Sequence, residues 1–179
     1  MNEILEDIQA AELDLDSDLA RYPDLVFALR YWTSKCQGRF APARADIDPA
    51  EIVAILPRVL LADVEYGAEG TVDFRYRLSG TGICSVHQLD LTGLRPSALE
   101  PPPYGKLVNI QYRQAVERRR PLAHVIALQT DKKSRSYARI ILPLSSDGTM
   151  IDKLMMVDSE TQNLLQEFLE TIAVIAKRA

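Results

Sequence analysis

No apolar run in this 179-residue chain approaches the roughly 20 residues that a membrane-spanning helix needs, so no span is expected. Cysteine is scarce. Cys36 and Cys84 stand far apart, in neither a C-x-x-C pair nor a metal-ligand spacing. That excludes a disulfide scaffold, and with only two histidines it argues against a zinc site. Basic excess is missing as well: 21 basic against 25 acidic residues give a net charge of −4, which removes the electrostatic case for a nucleic-acid partner. The start has no signal-peptide pattern, so free thiols in a reducing cytoplasm are the expectation. Also absent are G-x-S-x-G, H-E-x-x-H and P-loop patterns, and no enzyme is expected. Gly80-Thr81-Gly82 is too short for a nucleotide fingerprint, and turn geometry accounts for both glycines.

What is present begins with the stretch 72–82. Val72, Phe74, Tyr76 and Leu78 alternate with Asp73, Arg75 and Arg77, which places the apolar set on one face of a strand and the charges on the other. Residues 59–65 predict a strand before it, and 122–129, 135–144 and 149–157 predict three more after it. Between the two groups, 81–89 reads as short irregular helix and 104–119 as a longer one, closed by Pro121. Upstream, Leu25, Leu29, Trp32 and Cys36 hold one face of a helix over 23–37, and Gly38 stops it. Asp48-Pro49-Ala50-Glu51 is a capping box that opens a short helix. Downstream, a helix from 159 carries Leu165, Phe168 and Ile172 on an apolar stripe. Residues 1–20 are acidic throughout, with Ile8, Ala11, Leu15 and Leu19 at helical spacing, and two readings stand: a docking helix or an acidic tail. The order implies an α+β domain with a five-stranded antiparallel sheet. Its divisions are 1–20, a helical extension over 21–57, a core over 58–158 and a terminal helix over 159–179.

The chain resembles the bacterial stand-alone PAS domain family. The carrying residues are Tyr31-Trp32, Arg39, Pro42-x-Arg44-x-Asp46, Asp48-Pro49, Leu56-Pro57 and Asp63-Val64, followed by Phe74 to Leu78 with Gly80-Thr81, Asp90-Leu91-Thr92-Gly93 and Leu142-Pro143-Leu144. The resemblance implies helices folded over one face of the sheet, and a role in signal transduction through a small molecule or a regulatory protein partner. It implies no particular ligand, so the cofactor is left unknown.

If the helices leave a pocket, its candidate lining is Tyr76, Leu78, Ile83, His87, Val108, Tyr112, Ile126 and Ile140; the same residues also suit a filled core. His87 or His124 would ligate iron in a haem-binding version, the alternative to a metabolite sensor, although a hydrogen-bonded histidine is the simpler reading of each. Cys84 lies where light-sensing relatives keep a flavin-reactive cysteine, but Gly82-Ile83-Cys84-Ser85-Val86-His87 departs from their motif at nearly every position. Asp63 and Glu65 read as a solvated face, and Arg118-Arg119-Arg120 as a solvated helix end. A homodimer is expected through the flanking helices, with Leu25, Leu29, Trp32, Leu165, Phe168 and Ile172 as its candidate interface.

Overall fold

The computed structural model describes residues 5–131 and 134–160. Strands β1 (Leu5–Leu13), β2 (Val59–Tyr66), β3 (Val72–Ser79), β4 (Leu122–Thr130), β5 (Ser134–Leu144) and β6 (Lys153–Asp158) form one antiparallel sheet in the order β1-β4-β5-β6-β2-β3. Helix α1 (Pro23–Cys36) precedes the core, while α2 (Thr81–His87) and α3 (Pro102–Arg118) lie between β3 and β4. The α+β architecture is as the sequence implies, with six strands instead of five.

The sixth strand is β1. The acidic start is neither a helix nor a tail; it pairs with β4 from Leu5↔Thr130 to Leu13↔Ala123. It is held by backbone ladder bonds, by Leu13 buried in the core with Ile8 and Ala11 packed against it, and by Glu12, whose carboxylate accepts from Arg118 Nη1 at 2.7 and 2.9 Å and from Arg120 Nη2 at 3.4 Å. Ile8, Ala11 and Leu13 do not alternate along the strand, so no period of two marks it and the helical spacing misled. The same contacts correct the basic triplet: Arg118 and Arg120 tie down β1, and Arg119 sits 4.2 Å over the ring of Phe40.

Ladder parity assigns the faces, because successive side chains of a strand point to opposite sides. Phe74, Tyr76, His124, Ile126, Tyr137, Arg139 and Asp158 share the inner face. Tyr112 of α3 meets Phe74 edge-on at 5.4 Å, which places α3 over that face. Ala138, Ile140, Leu142 and Val157 point the other way and are fully buried. Helix α1 packs across β5 and β6, with Leu25, Ala28 and Trp32 buried and Trp32 Nε1 donating to the Pro143 carbonyl at 2.7 Å. Covering on both sides explains why β5 is apolar from Ala138 onward apart from Arg139.

Two expectations change here. Leu25 and Trp32 are buried against their own sheet and Leu29 packs on the same core, so this stripe is not a dimer face. Leu165, Phe168 and Ile172, with the expected C-terminal helix, lie outside the described residues. The strict alternation of β3 also fails at one point. Leu61 pairs with Leu78 but Ala62 pairs with Tyr76, so Arg77 is an extra residue in a bulge. Leu78 is thereby turned to the outer face, where it is 40% exposed. That outer face of β2 and β3 is charged: Asp63 pairs with Arg77 and, at 2.8 Å, with Lys153, and Glu65 pairs with Arg75 and Arg95 at 2.9 and 2.6 Å.

Smaller corrections concern local signals. Asp48 caps the 3-10 turn Pro49–Ile52 by accepting from Ala50 N at 2.9 Å. Glu51, however, accepts from Tyr31 Oη at 2.9 Å and pairs with Lys35 instead of closing the capping box. The last strand starts at Lys153, because Asp147 holds the preceding turn by accepting from Thr149 N and Met150 N at 2.7 and 2.9 Å.

Gly80 is required for a reason other than turn geometry. Its φ of −61° suits any residue, but a Cβ there would run into the carbonyl oxygens of Leu56 and Pro57, and one at Gly82 would stand 2.9 Å from the Pro57 oxygen. Gly80→Ala is therefore expected to cost roughly 1–3 kcal/mol, as overpacking does. Denaturant unfolding checks this: the midpoint falls with an unchanged slope, and an unmoved midpoint would refute the close-approach argument.

Candidate functional site

The inner face carries a charge where an apolar residue is the rule. Arg139, 1% exposed, stands opposite Asp158 in the β5–β6 ladder. Its Nε donates to Asp158 Oδ1 and its Nη2 donates to Oδ2 at 2.9 Å, a two-point pairing that engages both carboxylate oxygens. Nη1 and Nη2 reach the hydroxyls of Tyr112 and Tyr104 on α3 at 3.5 Å, and the guanidinium lies 5.3 Å from the Tyr137 ring centre. Tyr104 and Tyr137 share a 2.6 Å hydrogen bond, and Tyr76 and Tyr112 one of 3.3 Å. Burial works against the charge on Arg139, but Asp158 and the surrounding tyrosines outweigh it and hold the group protonated. Burial also pushes the Tyr112 phenol up to about 12 and those of Tyr76 and Tyr137 well above their usual value, so all three stay neutral.

One side of this cluster opens into a cavity of about 450 Å³. Pro57, Gly82, Ile83, Val86, Pro101 and Leu128 supply apolar wall. Tyr104 and Tyr137 form the polar back, while Arg58, Arg135 and residues 158–160 line the side towards the end of β6. His87 stacks on Tyr104 with ring centres 6.1 Å apart. Desolvation, and secondarily Arg139, lower its pKa, which keeps the imidazole neutral near pH 7. A space of this size, with apolar wall facing a polar side, suits a small, partly apolar molecule.

Of the eight residues singled out from sequence, Ile83 and His87 line the cavity. Tyr76, Val108, Tyr112 and Ile126 are fully buried in the inner-face core behind it. Leu78 is on the outer face through the bulge, and Ile140 faces away from α3 because its register partners, Ala123 and Val157, have the opposite parity to Arg139. Sequence reasoning missed Tyr104, Arg135, Tyr137 and Asp158. The available signal was Arg135-x-Tyr137-x-Arg139, polar side chains at strand spacing next to an apolar run. Cys84 is outside the lining; its Sγ donates to Ser79 Oγ at 3.4 Å. Among the described residues no group of His, Cys and carboxylates is placed to hold a metal, and no helix is long and apolar enough to cross a membrane.

The architecture is an α+β domain: an antiparallel sheet with helices over its inner face and a cavity beneath them. A family model described as a PAS domain matches residues 23–156, and the chain belongs to that family. None of the curated proteins compared with the chain matches it. Membership supports a role in signal sensing and leaves the ligand and partner to the chemistry of the site.

His124 is also on the inner face, opposite Glu12 and Arg139, and 4% exposed. Its Nδ1, like both amide atoms of Gln111, is buried without a hydrogen-bond partner among the described residues, and neither residue lines the cavity. Burial drives its pKa from 6.5 down to about 4, with Glu12 opposing and Arg139 and Arg118 assisting. Between these values the unfolded chain binds the proton and the folded one does not. Stability present above pH 6.5 is therefore lost as pH falls towards 4, by about 3 kcal/mol from this group. Melting His124→Leu beside the wild type at pH 7 and 4.5 checks it: the variant has the shallower acid loss, and equal losses would contradict the assignment.

Proposed function

We propose that this chain is a non-enzymatic sensory domain in which a small molecule in the cavity alters contact with a regulatory protein. The observation that carries the reading is that the cavity wall is shared with the junction between α1 and the end of β6. Arg58 lines the cavity, donates from Nε to the Asp158 carbonyl at 3.0 Å, and pairs with Asp24 and Glu160 at 3.2 Å each. Asp24, in the first turn of α1, accepts from Ser159 Oγ at 2.9 Å and Glu160 N at 2.7 Å. A molecule that contacts Arg58 or residues 158–160 therefore bears on the side chains that tie α1 to the point where the chain leaves the sheet. A change there is within reach of a protein partner. The two unpaired cysteines suit action in a reducing compartment such as the cytoplasm.

A haem-dependent version puts the iron on His87, the histidine in the cavity wall. Native mass spectrometry and a visible absorbance spectrum of protein purified from cells separate the readings. A metabolite sensor has excess mass without a haem band, and the excess disappears in Val86→Trp, which fills the cavity mouth from a half-exposed position. Bare-chain mass in both proteins, unchanged after equilibration with a cell metabolite extract, would contradict ligand sensing.

A further inference from the structure

The hydroxyls in the cavity wall leave one proton over. Tyr104 and Tyr137 share a single hydrogen bond of 2.6 Å, and the neighbour that completes the group, Arg139, is a donor only. If Tyr104 donates to Tyr137, the Tyr137 proton has no acceptor among the described residues; if the direction reverses, the Tyr104 proton has none. The Asp158 oxygens accept from Arg139, and neither tyrosine hydroxyl is within hydrogen-bond reach of them. Glu160 and Asp24 are likewise engaged by Arg58. An unpaired donor in such a wall requires an acceptor from whatever fills the space.

Arg135 adds a second donor. It lies two residues before Tyr137 on β5, so both project from the same face with their Cα atoms about 7 Å apart, and both line the cavity. Among the described residues it has no carboxylate partner, unlike Arg58, Arg139 and the arginines of the outer face. Glu100, the wall carboxylate with no cationic partner among the described residues, belongs to the exposed loop before α3. The donors thus converge at the β5 side, while Ile83, Val86 and Leu128 offer apolar wall.

Resting on the reading that the cavity holds a small molecule, we infer that its ligand is a carboxylic acid with an apolar aryl or alkyl body, the carboxylate held by Arg135 and the tyrosine hydroxyl pair. The test is calorimetric titration of the full chain with phenylacetate and octanoate, set against their uncharged amides, phenylacetamide and octanamide. At least one acid binds saturably and tenfold or more tighter than its amide. Arg135→Gln, at an exposed position whose loss leaves the core intact, removes that preference, so that the acid binds no tighter than its amide. Val86→Trp abolishes both. Equal binding of acid and amide, or an acid preference that survives in Arg135→Gln, overturns the carboxylate assignment while the cavity reading stands. No saturable binding of either series overturns the carboxylate assignment, and the cavity reading falls with it only if the native protein also has bare-chain mass.

Discussion

A guanidinium inside a β-sheet is the constraint around which the inner face is arranged. Desolvating an isolated charge costs several kcal/mol even after relaxation, and only close, multiply hydrogen-bonded pairing offsets it. Arg139 obtains this from the rung opposite, Asp158, and from tyrosines delivered by a different element. Because Tyr104 and Tyr112 stand eight residues apart on α3, satisfying the guanidinium fixes both the height and the rotation of that helix over the sheet. Tyr112 is then available to Phe74 and Tyr76 on β3, so the two halves of the sheet are bridged through one helix.

The cavity follows from the same arrangement. With Tyr104 and Tyr137 drawn to the guanidinium, the space between α2 and the end of β4 and start of β5, around Leu128 and Arg135, is left unfilled, and its back wall is polar where a filled core would be aliphatic. The outer face obeys a different logic. Across β5 and β6 it is apolar and buried beneath α1; across β2 and β3 it is a ladder of exposed ion pairs. Such pairs contribute little individually, but they keep this half of the sheet wet. Helix α1 covers the sheet along most of its length, and only its first turn, through Asp24, reaches the residues of the cavity wall.

The fold was legible where side-chain periodicity records burial. The strands around Val64, Phe74 and Ile141, the helix bearing Leu25 and Trp32 and the α+β order could all be read that way. β1 was hidden because its core contacts, Ile8, Ala11 and Leu13, do not alternate along the strand, and its remaining ties, ladder bonds and the Glu12 carboxylate, leave no period. Leu78 was misplaced because a bulge at Arg77 changes parity without a Gly or Pro to mark it. At the site, the apolar members were accessible to reasoning from composition, whereas Tyr137 and Asp158 were not: their importance depends on a cross-strand partner, and register is a tertiary fact. The dimer face at Leu25 and Trp32 failed for a related reason, since an amphipathic stripe shows that a helix is covered and not by what.

The most direct measurement is a double-mutant cycle on the buried pair, with Arg139→Met, Asp158→Leu and their combination compared by equilibrium unfolding. If the pair organises the inner face, each single change leaves an uncompensated buried charge and costs about 3–5 kcal/mol. The double variant then costs less than either, giving a coupling of several kcal/mol. Additive losses, within about 0.5 kcal/mol, would mean that Arg139 and Asp158 act independently and that the sheet and its cavity do not depend on their pairing.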